Sequence, residues 1–178
     1  MTEVASADLI EFLRRQRQSR QFTDEPVSEA DLEQILQVAR WTGSSKNTQP
    51  WEFVVVTDPA LKAEIGAATQ WTGWAANAPV VIVIVTDGDK PRGHDYDEGR
   101  VSERILLAAQ ALGLGAGVIT FAPADSQARV KAALSVPDGH QVYSAVPIGH
   151  AVPRTGKSPL AGRKPLEDLV HRERYGNR

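Results

Sequence analysis

Apolar residues recur along this chain with two periods. Behind Ser6, a candidate N-cap, Leu9, Ile10, Phe12 and Leu13 take helical spacing across residues 7–16. A second helix is expected from Ser28. There Ser28-Glu29-Ala30-Asp31 resembles a capping box with Asp in place of Glu, and Leu32, Ile35, Leu36 and Ala39 share one face. Residues 51–57 read as a strand, and Asp58-Pro59 as an N-cap followed by proline at the first helical position. The clearest strand is 78–86, whose unbroken β-branched run implies burial on both faces. A polar loop is expected from Asp87 to Asp97. The next helix carries Val101, Ile105, Leu106, Ala109 and Leu112 and stops at Gly113. A strand over Gly115 to Phe121, a short helix near 125–134 and a strand near 142–149 complete the series. Helices interleaved with a few buried strands indicate an α/β or α+β sandwich.

The chain has 178 residues, 42% hydrophobic, which fits one globular domain with an ordinary core. A net charge of −2 argues against nucleic-acid binding as the main role. With no cysteine, disulfides, thiolate metal sites and cysteine nucleophiles are excluded. No run reaches transmembrane length, and Met1 to Ala5 has no signal-peptide character, so a cytoplasmic protein without membrane partners is the default expectation. From Ala151 to Lys164 prolines and glycines alternate with Arg154, Lys157, Arg163 and Lys164. Pro165 to Val170 then shows a short helical pattern, so the tail 151–178 is expected to dock on something.

Most chemical motifs fail on inspection. Gly113-Leu-Gly115-Ala-Gly117 follows a helix and enters a strand, the reverse of a dinucleotide fingerprint. A helix C-cap followed by a close backbone approach to a ligand or a helix explains it better. The histidines at 94, 140, 150 and 171 lack metal-ligand spacing and read as surface residues. Asp95, Asp97 and Glu98 read as solvated charge or as a negative helix start. Trp71 and Trp74, three apart, would share a helix face, either packed or as an aromatic lid over a substrate pocket. No protein nucleophile, general base or metal set stands out. Two polar turns do: Arg17-Gln18-Ser19-Arg20, and Ser44-Ser45-Lys46-Asn47-Thr48-Gln49-Pro50-Trp51 before a strand. A carboxamide such as Asn47 both donates and accepts, as the edge of a flat heterocycle requires. The pattern fits a protein that binds an organic cofactor and lets it carry the chemistry.

The chain resembles the nitroreductase family of flavoenzymes over nearly its whole length. The carriers are Arg20-Gln-Phe22-Thr-Asp-Glu-Pro26-Val, Ser44-x-x-Asn47-x-Gln49-Pro50-Trp51, Ala111-Leu-Gly113-Leu-Gly115-Ala, and Lys164-Pro165-Leu166-Glu167-Asp168-Leu169-Val170-His171. The resemblance implies an α+β sandwich with a mixed central sheet flanked by helices. It implies an intertwined homodimer with FMN in the interface and the tail embracing the partner. The turn Gln16, Arg17, Gln18 to Arg20 would bind FMN, with Arg20 at the ring edge. Ser44 and Asn47, with Ser45 and Gln49 beside them, would meet the pyrimidine edge from the other subunit. Backbone groups of Val118, Ile119 and Thr120 would lie near N5, and Arg163, with Lys164, would clamp the phosphate. Activity would be NAD(P)H-dependent, ping-pong reduction of an electron-poor organic acceptor. A different flavin reaction on the same fold and a non-catalytic flavin-binding role remain alternatives. The chain departs from the family where Gln16 replaces an Arg and Gln18 a phosphate-binding Ser.

Overall fold

A computed structural model describes residues 6–88, 91–153 and 162–178. Expectations resting on the N-terminal five residues, Arg154 and Lys157 lie outside the described residues. Helix α1 (Ser6–Arg15) leads to α2 (Glu29–Arg40), β1 (Trp51–Val56) and α3 (Pro59–Gly66). Strand β2 (Val80–Asp87) and the long α4 (Pro91–Ala111) follow, then the two-residue strands β3 (Gly115–Ala116) and β4 (Ile119–Thr120). Helix α5 (Ala124–Ala133) and β5 (His140–Gly149) close the body.

Two of the predicted N-caps form, while Ser6 is the first residue of α1 itself. Ser28 Oγ accepts from Asp31 N at 3.0 Å, and Asp58 Oδ1 accepts from Leu61 N at 2.9 Å, each satisfying an orphan donor of the first turn. Every described strand pairing is antiparallel, so the mixed sheet that the resemblance implied is not seen among the described residues. The order is β1-β2-β5, with β3 and β4 both on the far edge of β5.

Strand β2 is central because its side chains serve two cores. Val80, Ile82 and Ile84 join Leu32 and Ile35 of α2 and Val101, Ile105 and Ala109 of α4. Val81, Val83 and Val85 join Ile65, Phe121 and Val130 on the other face. Each fully buried aliphatic side chain here contributes roughly 1.5–3 kcal/mol. This is the α+β sandwich.

Five expectations are corrected. The stretch from Pro91 to Asp97 is not loop but the start of α4, with Pro91 at its first position. Asp97 and Glu98 are not solvated: they are 1% and 3% exposed on the face of α4 turned to the protein, and they interrupt its apolar period. His94 is buried as well, its Nδ1 2.6 Å from the Asp87 carbonyl. The expected strand 115–121 is broken at Gly117-Val118. Finally, Trp71 and Trp74 share no helix face. Helix α3 ends at Gly66; Trp74 lies in a 3-10 turn, Gly73–Asn77, and Trp71 just before it. Among the described residues no helix is long and apolar enough to cross a membrane.

Candidate functional site

The Arg-rich turn follows α1 and lies against the broken β3–β4 edge. Ser19 N donates to Ala116 O at 2.7 Å, and Val118 N donates to Gln18 Oε1 at 3.1 Å. Thr23 N donates to His150 O and Val152 N to Gln21 O, so the turn is tied down on both sides of Phe22. This approach is what demands glycine. A Cβ on Gly117 would lie 2.6 Å from Ser19 O and 2.8 Å from the Trp74 ring; one on Gly115 would lie 2.7 Å from Ser19 Oγ. The close approach expected of the Gly113–Gly117 run is therefore to the 16–20 turn.

Anchoring Ser19 puts Arg20 on the wall of an open cleft of about 850 Å³, with Trp71, Trp74, Val118, Ile119 and Thr120. The Arg20 guanidinium lies 5.9 Å from the Trp74 ring centroid and makes no ion pair among the described residues. Trp74 is in turn backed by Phe22, 6.3 Å between centroids. Arg17 is used differently: its Nη1 donates to the carbonyls of Arg14 and Gln16, capping the C-terminus of α1. Thr69 and Arg129 also line the cleft; they carry no motif and sequence reasoning missed them. The size falls in the range of small-molecule sites, about 300–1,000 Å³. An unpaired cation, an aromatic floor and a strand backbone suit a flat, anionic aromatic ligand.

The second turn lies elsewhere. Ser44, Ser45, Asn47 and Gln49 do not line this cleft, and neither does Arg163, which is exposed. Lys46, Asn47 and Gln49 all have left-handed backbone, φ 53°, 55° and 48°. Ser44 Oγ accepts from Gln49 N at 2.8 Å across the turn, while the Asn47 side-chain amide makes no hydrogen bond among the described residues. Strained non-glycine backbone concentrates at functional sites. Nearby, burial pushes the Glu98 carboxyl above its ordinary range, against the opposing hydrogen bond from Ser144 Oγ and with a further push from the Asp95 charge.

The model of the nitroreductase family matches residues 13–74 and 70–150. The chain belongs to that family. It is 29% identical over 175 residues to a protein of Archaeoglobus fulgidus assigned provisionally as NADH dehydrogenase/NAD(P)H nitroreductase, covering 94% of this chain and 99% of that one. An FMN-dependent nitroreductase from Clostridium difficile superposes with a TM-score of 0.84 at 26% identity, over 93% of this chain and 99% of that one. Iodotyrosine deiodinase of Nematostella vectensis is 27% identical over 199 residues, covering 93% of this chain and 75% of that one. As a nitroreductase-family member, the chain leaves apolar surface bare where it begins and ends. Leu9, Ile10 and Leu13 of α1 are half exposed or more, and so are Leu166, Leu169 and Tyr175 of the tail.

Proposed function

We propose that this chain is an FMN-dependent oxidoreductase that passes electrons from NAD(P)H to an electron-poor organic acceptor such as a nitroaromatic or a quinone. It works as a homodimer. FMN and NAD(P)H dependence accord with the family and with the relatives named above. The observation that carries the reading is Arg20: a guanidinium without an acidic partner among the described residues, 5.9 Å from the Trp74 ring centroid and beside the backbone of Val118 to Thr120.

The cleft fits the cofactor in size and in donor chemistry. Arg20 would hold the pyrimidine edge of the ring, where a fixed cation stabilises the electron-rich form and raises the potential. Backbone groups of Val118, Ile119 and Thr120 would orient the ring from the N5 side. Amides of Gln16 and Gln18 and the charges of Arg163 and Lys164 would serve the phosphate. Ser44, Ser45, Asn47 and Gln49 would reach the cofactor from the second subunit, with the tail 151–178 wrapped around the partner. The chemistry that the bound cofactor supplies is two-electron transfer. No side chain of the cleft is needed as an acid; Trp71 and Trp74 would flank the acceptor. One open face serves donor and acceptor in turn, which makes the kinetics ping-pong.

Reductive dehalogenation is the second reading, favoured by the deiodinase relative. That alignment spans more positions than this chain has residues, so the deiodinase carries insertions without a counterpart here. The test is the visible spectrum of the purified protein, before and after anaerobic NADH or NADPH. A flavin spectrum that bleaches, followed by reoxidation with a quinone, is expected. A colourless protein that takes up no FMN would end the reading. Reoxidation by a halogenated phenol alone would favour the second one.

A further inference from the structure

We infer that Asp97 is a positioning residue. With Arg100 it holds the Ser44–Gln49 turn in the shape that presents Asn47 to the cofactor. This rests on the reading of that turn as cofactor-binding.

The geometry begins with burial. The Asp97 side chain is 2% exposed, yet it belongs to a helix whose other buried positions are largely apolar. A buried carboxylate is tolerated only where its oxygens are paired. Oδ2 accepts from Ser45 N at 3.1 Å, across 52 residues of sequence, and Oδ1 faces Arg100 Nη1 at 3.4 Å. Arg100 lies one turn further along α4, with its guanidinium 5.9 Å from the Tyr96 ring centroid. It also sits against the base of the turn: a Cβ on Gly43 would lie 2.9 Å from Arg100 Nη2. Ser45 is thus tied to α4 by a hydrogen bond, and Gly43, on the other side of Ser44, packs against Arg100.

The turn needs such a hold. Its left-handed residues Lys46, Asn47 and Gln49 are conformations that side chains disfavour. Its other side-chain bonds are internal: Thr48 Oγ1 to Ser45 O, Gln49 N to Ser44 Oγ, and Gln49 Nε2 to Asn47 O. Among the described residues, Asp97 makes the one side-chain hydrogen bond that reaches this turn from another element. Left to itself, a strained turn samples other shapes, and ordering it on binding costs affinity. Asp97 removes that cost beforehand, as supporting groups do around a preorganised site.

The experiment compares Asp97→Ala, Asp97→Asn, Asn47→Ala and the Asp97→Ala/Asn47→Ala double variant. The readouts are FMN affinity, by fluorescence titration of the apoprotein, and hydrogen exchange of the 42–50 segment without FMN. Asp97→Ala is expected to weaken FMN by about tenfold or more, the scale of one lost charge-assisted hydrogen bond. It should also speed exchange across the turn. Asp97→Asn keeps an acceptor for Ser45 N and should restore most of both. The double variant should bind little worse than Asn47→Ala alone, because the two act through one contact. If Asp97→Ala stays within about twofold of wild type while Asn47→Ala loses affinity, the inference fails and the reading of the turn stands. If Asn47→Ala binds FMN normally, the reading of the turn fails and takes the inference with it. Should Asp97→Ala not fold, Arg100→Ala removes the guanidinium that faces Asp97 Oδ1 and abuts Gly43 instead. Faster exchange with severalfold weaker FMN supports the inference, and no change in either overturns it.

Discussion

Gly117→Ala tests whether the Arg-rich turn is built on the strand edge as described. The new Cβ would stand 2.6 Å from Ser19 O and 2.8 Å from the Trp74 ring, whereas ordinary contact begins at 3.4 Å. The Ser19 carbonyl must therefore retreat by about 0.8 Å, the difference between 3.4 and 2.6 Å. It is backbone, and the N–H of the same residue donates to Ala116 O at 2.7 Å, so it cannot swing aside as a side-chain tip would. Overpacking of this kind costs about 1–3 kcal/mol. At roughly 2–4 °C per kcal/mol for a chain of this size, the apoprotein should melt about 2–12 °C lower. Arg20 is the next residue, so FMN affinity should fall as well, by more than the stability loss alone explains. Gly73→Ala is the control: a Cβ there meets nothing within 4 Å and its backbone is not left-handed. Calorimetry and flavin titration of both variants decide the matter. A Gly117→Ala protein that melts and binds like wild type would refute the docking of the turn on β3–β4.

Arg20→Ala should weaken FMN about tenfold or more, or lower the flavin potential measured by equilibration with redox dyes, while Arg20→Lys restores charge without the planar fork. The raised Glu98 carboxyl gives a pH dependence whose sign is fixed. Its folded pKa lies above the unfolded value near 4.5, so its contribution is fully present below pH 4.5 and lost as pH rises through the folded pKa. Glu98→Gln keeps an acceptor for Ser144 Oγ and should gain in melting temperature, relative to wild type, between pH 4.5 and 8; an unchanged difference across that range would count against it. The proposed dimer predicts that Ile10→Glu with Leu13→Glu gives a monomer by analytical ultracentrifugation and loses FMN with it, since association and ligand binding stabilise one another.

Much of this was readable before any coordinates. The run Val80 to Val85 is β-branched without a polar break, and a strand that serves two cores has no other way to be written. Ser28 and Asp58 announced their helices because a first-turn N–H needs an oxygen. Gly115 and Gly117 announced a close approach, since only glycine leaves the space. What stayed hidden depends on long-range pairing. Asp97 and Glu98 read as solvent-facing because nothing local reveals that Ser45 N and Ser144 Oγ, 52 and 46 residues away, satisfy them. Taking them for surface moved the expected start of α4 past Pro91. The left-handed turn at Lys46 to Gln49 was equally silent, because its residues are not the glycines that usually mark such backbone.

The layout of the candidate site carries its own argument about assembly. In one chain, the cation and aromatic floor of the cleft are complete at Arg20 and Trp74. The amide-bearing turn at Asn47 and the tail cation Arg163, both assigned to the cofactor in the proposed reading, do not line that cleft. Were all of them to serve one cofactor in one chain, a large rearrangement of β1 or α4 would be required, and both are locked into the core by Trp51, Val101 and Ile105. A second copy needs no rearrangement. It would cover Leu9, Ile10 and Leu13, each side chain worth roughly 1.5–3 kcal/mol when fully buried, and it would bring its own turn and tail to the first chain's cleft. The bare apolar surface is an observation of packing, and the division of the site follows from the proposed cofactor roles of Asn47 and Arg163. The proposed dimer answers both with the same contact.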